Sequence, residues 1–305
     1  MPELPEVEVV RRGVLPFTGA WRVDEVVVLD PRSLKRHAGP PEDFVHRLTG
    51  QTLVEVARRG KFLWWILGDG DDAEGALVGH LGMSGQILLG SRLGDFGRLL
   101  RIALHLVHPD GRDIWLGFVD QRVFGSLALD GLRPTPDGQA GGQGTSRPLV
   151  PSQVAHISRD PLDPAFDECV FISRLRAKNT GVKRALLDQQ LISGIGNIYA
   201  DESLWRVRLH YDYPTSRLSP AKAAELLAAV RAVLAQALEE GGTSFDWQYV
   251  NVNGQSGYFS QSLDAYGQDG KPCARCGKIM VREPFMNRSS HRCPHCQRVP
   301  RRTIG

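Results

Sequence analysis

The first six residues bring together groups that could do covalent chemistry. Removal of Met1 would leave Pro2 as a secondary amine, next to Glu3 and close to Glu6. Because an α-amino group titrates at about pH 8, a useful fraction is unprotonated at neutral pH. Such an amine can attack an acetal-like carbon and form an iminium, an electron sink for elimination, while the adjacent carboxylate moves protons. The alternative is that this stretch is only the proline-containing start of a helix.

Four cysteines near the C-terminus form the clearest motif. Cys273 and Cys276 make one C-x-x-C pair, and Cys293 and Cys296 make a second pair after 16 intervening residues. Such pairs can bring four thiolates together around a tetrahedral Zn²⁺, with disulfides or unused thiols as the alternatives. A module this small has no core of its own, so the metal would supply its folding energy. We expect the fifth cysteine, Cys169, to be a small core residue.

The net charge of +3 hides an asymmetry along the chain. Residues 271–305 carry nine basic residues and one acidic residue, a net charge of +8, whereas residues 1–270 have a net charge of −5. A basic terminal segment indicates a polyanionic partner or a solvated tail. Since no apolar run approaches the roughly 20 residues of a membrane span, we expect a cytoplasmic protein without a membrane partner.

The first part of the chain is rich in β-structure. After a helix with Val7, Val10 and Val14 on one face, six runs separated by turn residues predict a mainly antiparallel β-sandwich in residues 1–132. The runs are Val23 to Leu29, Thr52 to Val56, Lys61 to Leu67, Ala76 to Leu89, Leu99 to Val107 and Ile114 to Leu129.

The rest of the chain divides into three further parts. Residues 133–151 are rich in Gly, Pro, Gln and Ser and are interpreted as a linker or exposed insertion. Residues 152–260 are helical, with the clearest helix from Ser219 to Glu240. In this part, Asn197 is expected to cap a helix whose N–H groups can receive a phosphate. Residues 261–305 form the cysteine module. The fold class is therefore α+β and multidomain.

Three stretches together resemble the bacterial formamidopyrimidine-DNA glycosylase family, also called MutM/Fpg. They are the N-terminal sequence MPELPEVE, the stretch from Gly194 to Glu202 and the four-cysteine module, and together they span nearly the whole chain. The resemblance implies a helix-two-turns-helix domain followed by a zinc-finger hairpin. It also implies a monomeric, bacterial DNA glycosylase and AP lyase of base excision repair. This enzyme would remove 8-oxoguanine and formamidopyrimidines from double-stranded DNA through a Pro2 Schiff base and β,δ-elimination.

The resemblance also assigns roles to individual residues. It implies that Pro2, Glu3, Lys61 and Arg288 are catalytic. Residues that contact DNA would be Glu6, His80, Met83, Arg122, Phe124, Arg174 and Asn197. Met83 and Phe124 would fill the gap left by a flipped nucleotide, with core packing as the alternative, and Arg122 would read the orphaned base. Residues 246–261 resemble a loop that covers the extruded lesion.

Two departures and two rival functions remain. The chain has Gln121 and Val123 where the family often has Pro and Arg, and Leu99 and Leu100 near the place of a DNA-contacting histidine. These changes bear on affinity for DNA more than on the chemistry. The rivals are an endonuclease VIII-like enzyme for oxidised pyrimidines and a non-catalytic, zinc-dependent DNA-binding paralogue. The retention of Pro2 and the acidic residues after it favours an enzyme.

Overall fold

The computed structural model describes residues 2–69, 72–242, 252 and 259–300. The chain forms two compact units, one of Met1–His156 with Gly241–Gly257 and the other of Ile157–Glu240 with Tyr258–Gly305. An antiparallel sheet dominates the first unit, and helices followed by a cysteine hairpin make up the second, so the predicted α+β class is confirmed. The four-part division of the chain stays a prediction. In the described ranges, no helix is both long enough and apolar enough to cross a membrane.

The first unit is built on one antiparallel sheet. Within its described residues, eight strands follow the spatial order β5-β7-β6-β1-β2-β3-β4-β8. These strands are β1 (Arg22–Val28), β2 (Thr52–Arg59), β3 (Phe62–Asp69), β4 (Asp72–His80), β5 (Gly85–Gly90), β6 (Leu100–Val107), β7 (Asp113–Asp120) and β8 (Ser126–Asp130).

Besides a smaller cluster around Phe96, the sheet has one large hydrophobic core. It takes side chains from the edge strands, such as Ile87 and Leu127, together with those of the central strands. The sheet therefore curls over a common interior, as a sandwich does. Two helices close this core: α1 (Leu4–Val14), with the predicted stripe of valines, and α2 (Pro41–Leu48), which contributes Phe44. α2 was not predicted from the sequence, because its eight residues are too few to show a clear helical period.

Two predicted runs are each divided into two strands. The run from Ala76 to Leu89 breaks at residues 81–84, and the run from Ile114 to Leu129 breaks at residues 121–125. Gly82 has a φ of +63°, which suits glycine, and its missing Cβ would lie 2.4 Å from the carbonyl carbon of Phe124. The prediction of two continuous strands was wrong, because both breaks depend on a close approach between loops that are distant in sequence.

Residues 133–151 contain a small ladder. Two short strands, β9 (Leu132–Pro134) and β10 (Leu149–Pro151), pair with each other, and the intervening chain bridges to Arg58 through Gln143. The segment interpreted as a linker or exposed insertion is thus packed on the sheet of the first unit, to which it belongs.

The second unit holds the remaining helices and a hairpin. The prediction for Ser219 is confirmed, because its hydroxyl accepts the Lys222 N–H at 3.1 Å at the start of the longest helix. The helices are α3 (Glu168–Ala177), α4 (Val182–Leu186), α5 (Asn197–Arg206) and α6 (Pro220–Glu239), and the hairpin strands are β11 (Val281–Phe285) and β12 (Arg288–Arg292). Short 3₁₀ helices of both units cover Leu15–Phe17, Pro31–Leu34, Leu93–Leu99, Thr215–Arg217 and Phe259–Gln261.

The expectation for Cys169 was wrong. This residue is exposed on α3, whose buried positions are Phe171 and Leu175. A small apolar residue type did not reveal which face of the helix it occupies.

A buried ionic network fixes α1 to the sheet. Glu8 is 1% exposed and accepts hydrogen bonds of 2.9 Å from Arg58 Nε and from Arg11 Nη2. Burial alone would raise the pKa of Glu8, but the hydrogen bonds of Arg11 and the charge of Arg58 outweigh it and hold the pKa below its ordinary value. The carboxylate is therefore ionised at neutral pH and joins helix and strand.

We predict that Glu8→Gln destabilises the protein by about 3–5 kcal/mol, because the variant leaves two buried guanidinium groups without a counter-charge. Since the folded-state pKa is lowered, the contribution of Glu8 is present at neutral pH and is lost as the pH falls through the carboxyl range. Urea denaturation at pH 7 measures the change. Glu42→Gln, at an exposed position of α2, is the control. Equal stability losses in the two variants would contradict the role of the network.

Candidate active site and DNA-binding surfaces

Pro2 and Glu3 lie at the N-terminus of α1. Glu3 is the N-cap residue, and a capping box joins it to Glu6, whose Oε2 accepts the Glu3 N–H at 2.8 Å. Pro2 is buried, and Glu3 and Glu6 are 1% and 3% exposed. Carboxylates are favourable at a helix N-terminus because unpaired N–H groups and the helix dipole face them. Glu6 is thus arranged to position residue 3, while its contact with DNA stays a prediction.

Lys61 lies in the two-residue turn between β2 and β3. Gly60 supplies the left-handed φ of +56°, and its carbonyl accepts a hydrogen bond of 3.2 Å from Arg58 Nη1. Since Arg58 also binds Glu8, the turn that carries Lys61 and the helix that follows Pro2 share one buried anchor. This anchor was not predicted from the sequence. Its signal is Arg11, which falls on the apolar face of α1 and so needs a buried partner.

His80 ends β4 beside the Lys61 turn. Its ring packs on Phe62 at a centroid distance of 4.6 Å, and Nδ1 accepts the Gly82 N–H at 3.1 Å. Burial lowers the pKa of His80 to about 4, with further contributions from the positive charges of Arg36, Lys61 and Lys35. The imidazole is therefore neutral at pH 7. Because Nδ1 accepts a hydrogen bond, its proton is on Nε2, where it can be donated.

The loops 81–84 and 121–125 are tied together by Asp120. This residue is fully buried, and its carboxylate accepts the hydroxyl of Ser84 at 2.5 Å and the N–H groups of Arg122 at 3.1 Å and Gly125 at 2.7 Å. Lys35 Nζ adds hydrogen bonds of 3.0 and 2.9 Å to the carbonyls of residues 123 and 124. Two loops of different sequence regions thus form one rigid support.

This support presents three exposed side chains. Met83 and Phe124 are 45% and 49% exposed, and Arg122, two residues before Phe124, is also exposed. Core packing, the alternative for Met83 and Phe124, is therefore wrong. Large exposed apolar residues beside a guanidinium suit insertion between bases.

The turn before α5 differs from the prediction in one respect. Gly196 is the N-cap residue and Asn197 is the first residue of the helix, so the expectation that Asn197 caps it was wrong. Gln189 shapes the turn instead, because its side chain accepts the Gly194 N–H and donates to the Ile195 carbonyl, both at 3.0 Å. The helix N-terminus nevertheless offers N–H groups suited to a phosphate.

Arg288 begins the second strand of the cysteine hairpin. It is exposed next to the turn at residues 286 and 287, opposite Phe285 in the ladder. A buried ion pair of 2.7 Å joins Lys183 of α4 to Asp201 of α5, and Asp201 also accepts the Ser290 hydroxyl at 2.8 Å. The strand that carries Arg288 is thus attached to two helices.

Arg174 is exposed on α3. One of its Nη atoms donates to the Gln190 carbonyl at 2.9 Å, which fixes the guanidinium near residues 189–190. Its contact with phosphate stays a prediction. The hypothesis of a lesion-covering loop at 246–261 falls outside the described residues except at positions 252 and 259–261.

The four predicted zinc ligands come together. The Sγ atoms of Cys273, Cys276, Cys293 and Cys296 all lie within 4.8 Å of one another. Four thiolates at these separations fit a structural Zn²⁺ site, which confirms the prediction from spacing. An arginine supports the site, because Arg275 lies over the Trp205 ring at 4.0 Å in the apolar cluster around the thiols.

Comparisons with known proteins agree with this arrangement. A family model described as "Formamidopyrimidine-DNA glycosylase N-terminal domain" matches residues 1–127, and one described as "Formamidopyrimidine-DNA glycosylase H2TH domain" matches residues 157–248. The chain is 56% identical over 299 residues to a formamidopyrimidine-DNA glycosylase of Leifsonia xyli, covering 98% of this chain and 100% of the relative. The chain belongs to the formamidopyrimidine-DNA glycosylase family. The resemblance found in the sequence is thereby confirmed.

Related glycosylases support the assignment over the full length. A Kineococcus radiotolerans glycosylase is 53% identical over 307 residues, covering 99% of both chains. The fold is similar to that of a Lactococcus lactis FPG mutant in complex with Fapy-dG DNA, with a TM-score of 0.80 and 28% identity. It also resembles a MutM in complex with carbocyclic 8-oxo-G DNA, with a TM-score of 0.79 and 27% identity. Each match covers 98% of this chain and 100% of the other.

We predict one zinc ion per chain and its loss in the Cys273→Ser variant, because three thiolates leave the tetrahedral site incomplete. The same variant should bind DNA more weakly, since the hairpin that carries Arg288 depends on the metal for folding. Metal analysis and DNA titration measure both effects. Cys169→Ser, which changes an exposed cysteine, should retain the metal and the affinity. Normal DNA binding by zinc-free Cys273→Ser protein would refute the structural role.

Proposed function

We propose that this protein is a bifunctional DNA glycosylase and AP lyase that removes oxidised purines from double-stranded DNA in base excision repair. The observation that carries the proposal is the buried Pro2-Glu3 pair at the N-terminus of α1, in a chain that matches formamidopyrimidine-DNA glycosylases over its full length. The non-catalytic alternative gives no reason to keep a proline amine next to two buried carboxylates. We further propose that the enzyme works in the cytoplasm on the nucleoid.

The reaction begins at the sugar of the flipped nucleotide, because C1′ cannot be reached inside the base stack. After Met1 is removed, the Pro2 nitrogen attacks C1′ and the bond from C1′ to the base breaks, with its electron pair leaving on the base. Glu3 accepts the proton that the attacking Pro2 nitrogen loses and delivers it to O4′, so the sugar ring opens and the nitrogen becomes a cationic iminium.

The iminium then acts as the electron sink. Loss of a C2′ proton allows the C3′–O3′ bond to break, and the 3′ phosphate leaves. A second elimination, with loss of the C4′ proton, breaks the C5′–O5′ bond, and the phosphate on the 5′ side leaves. Water then releases Pro2 from the sugar fragment. Lys61 and the Nε2–H of neutral His80 hold the nucleotide and its phosphate. The neutral His80 ring donates this hydrogen bond at pH 7 without carrying a positive charge.

DNA binding draws on groups in both units. In the first unit, Met83 and Phe124 fill the space of the flipped nucleotide, and Arg122 faces the orphaned base. In the second unit, Arg174, Arg288 and the N-terminus of α5 at Asn197 bind phosphates. These contacts position the duplex, whereas Arg122 supplies base discrimination.

We predict that borohydride traps a protein–DNA adduct on 8-oxoguanine DNA only when Pro2 is the N-terminal residue, because only a free amine forms an iminium. Protein that retains Met1 is the matched control, with N-terminal processing measured by mass spectrometry. Trapping by the blocked protein would exclude Pro2 as the nucleophile.

The same enzyme should excise 8-oxoguanine faster than thymine glycol. Thymine glycol is the comparison substrate because it is an oxidised pyrimidine, and one similar structure is of Lactococcus lactis FPG with DNA that contains an oxidised pyrimidine. Faster excision of thymine glycol would favour the endonuclease VIII-like alternative.

We predict that Arg122→Ala reduces excision opposite cytosine more than excision opposite adenine. A guanidinium can donate to both O2 and N3 of cytosine, whereas adenine places an amino donor on the same edge. A good bidentate contact contributes about 1–3 kcal/mol of discrimination, or roughly tenfold to a hundredfold in rate. Single-turnover rates opposite each base measure the ratio. Arg92→Ala, at an exposed arginine of another loop, is the control. An unchanged ratio in Arg122→Ala would show that another group reads the opposite base.

A further inference from the structure

Residues 141–147, which we call the strap, lie along the edge of β2. The ladder between β1 and β2 pairs only Arg22 with Thr52, so the strap can occupy the later part of this edge. Gln143 donates its N–H to the Arg58 carbonyl, and Arg58 donates its N–H to the Gln143 carbonyl, both at 2.9 Å. The strap therefore extends the sheet at the residue that anchors α1.

Two side chains hold the strap on either side of this bridge. Arg59 Nε donates to the Gly141 carbonyl at 2.8 Å, and Arg147 Nε lies 3.0 Å from Glu55 Oε1. The strap also closes on itself, because the Gly141 N–H donates to the Arg147 carbonyl at 2.8 Å. These contacts follow β2 from residue 55 to residue 59, immediately before the Lys61 turn.

The strap approaches the buried network without room for larger side chains. A Cβ at Gly142 would lie 2.3 Å from the Arg58 carbonyl oxygen, and a Cβ at Gly144 would lie 2.7 Å from Arg11 Nη1. Both distances are below normal contact, and the first involves backbone that can yield only if β2 moves. The strap thus packs tightly against the ionic network that contains Glu8.

We propose that the strap is a positioning element for the reaction, one that holds the Pro2 helix and the Lys61 turn in their productive arrangement. It acts through Arg58, which binds Glu8 of α1 and the Gly60 carbonyl. A displacement of Arg58 moves both carriers of reacting groups, and a misplacement of about 1 Å can reduce a rate roughly a hundredfold. This inference rests on the proposed function of Pro2 and adds residues 141–147, to which the proposed reaction gives no other role.

The test compares Gly142→Ala with Gly131→Ala. Neither glycine has a left-handed φ, and a Cβ at Gly131 meets no described heavy atom within 4 Å. Only Gly142→Ala therefore places a methyl group in steric conflict with the Arg58 backbone. Both are assayed at a temperature where circular dichroism shows them folded. The readouts are the single-turnover rate of 8-oxoguanine excision, the rate of borohydride-trapped adduct formation and the Kd for DNA with a tetrahydrofuran abasic analogue.

We expect Gly142→Ala to lower both rates by about tenfold or more, with a Kd within about threefold of wild type. Gly131→Ala should match wild type in rates and Kd. Arg147→Gln releases one end of the strap without a clash. It should lower both rates by a smaller factor, again with a nearly unchanged Kd, and it replaces Gly142→Ala in the test if that variant does not fold.

Three results would overturn the inference or its basis, and they are distinguishable. Wild-type rates in folded Gly142→Ala and Arg147→Gln would overturn the positioning role. A fall in rate matched by an equal fall in affinity would assign the strap a structural role only. Absence of a trapped adduct with wild-type enzyme that begins at Pro2 would instead refute the proposed nucleophile.

Discussion

The ionic network of Glu8, Arg11 and Arg58 is the constraint on which the N-terminal site depends. Buried charges are costly unless each is paired and hydrogen-bonded, so the network is stable in one arrangement of its parts. An isolated helix as short as α1 is marginal in water, and its position is therefore set by such contacts and by its valine stripe. The proposed reacting groups lie at a chain terminus and in a two-residue turn. The network gives both pieces a rigid reference in the sheet.

A related device supports the cysteine hairpin in the second unit. Asp201 of α5 pairs with Lys183 and binds β12, while Glu202 accepts three N–H groups from residues 264–266. Burial raises the pKa of Glu202 to about 7, against the lowering effect of those hydrogen bonds. Zinc can fold a hairpin but cannot orient it on a helix. Two consecutive buried acidic residues at the centre of α5 provide that orientation, and Arg288 depends on it.

Features with local causes could be predicted from the sequence. The valine stripe of α1 and the Ser219 cap each depend on residues a few positions apart, and the two C-x-x-C pairs are separated by only 16 residues. Several of the errors have a different cause, a contact between distant parts of the chain. The breaks at residues 81–84 and 121–125 require two loops to meet across the fold, and the Glu8 network joins residues 50 positions apart. Gly196 took the cap position expected of Asn197, in a turn that the Gln189 side chain holds through Gly194 and Ile195. Such pairings become visible only once the chain is folded.

The loop that carries Arg122 and Phe124 shows how binding groups can be prepared before DNA arrives. Val123 has a φ of +54°, a left-handed conformation that costs an L-residue roughly 1–2 kcal/mol and disfavours β-branched side chains most. The bonds from Asp120 and Lys35 to the loop backbone offset this strain. Without them the loop would relax, and its exposed side chains would have to be ordered during binding. In the proposed binding mode, the loop is already ordered by folding, so the energy of inserting Phe124 into the duplex remains available to keep the nucleotide flipped.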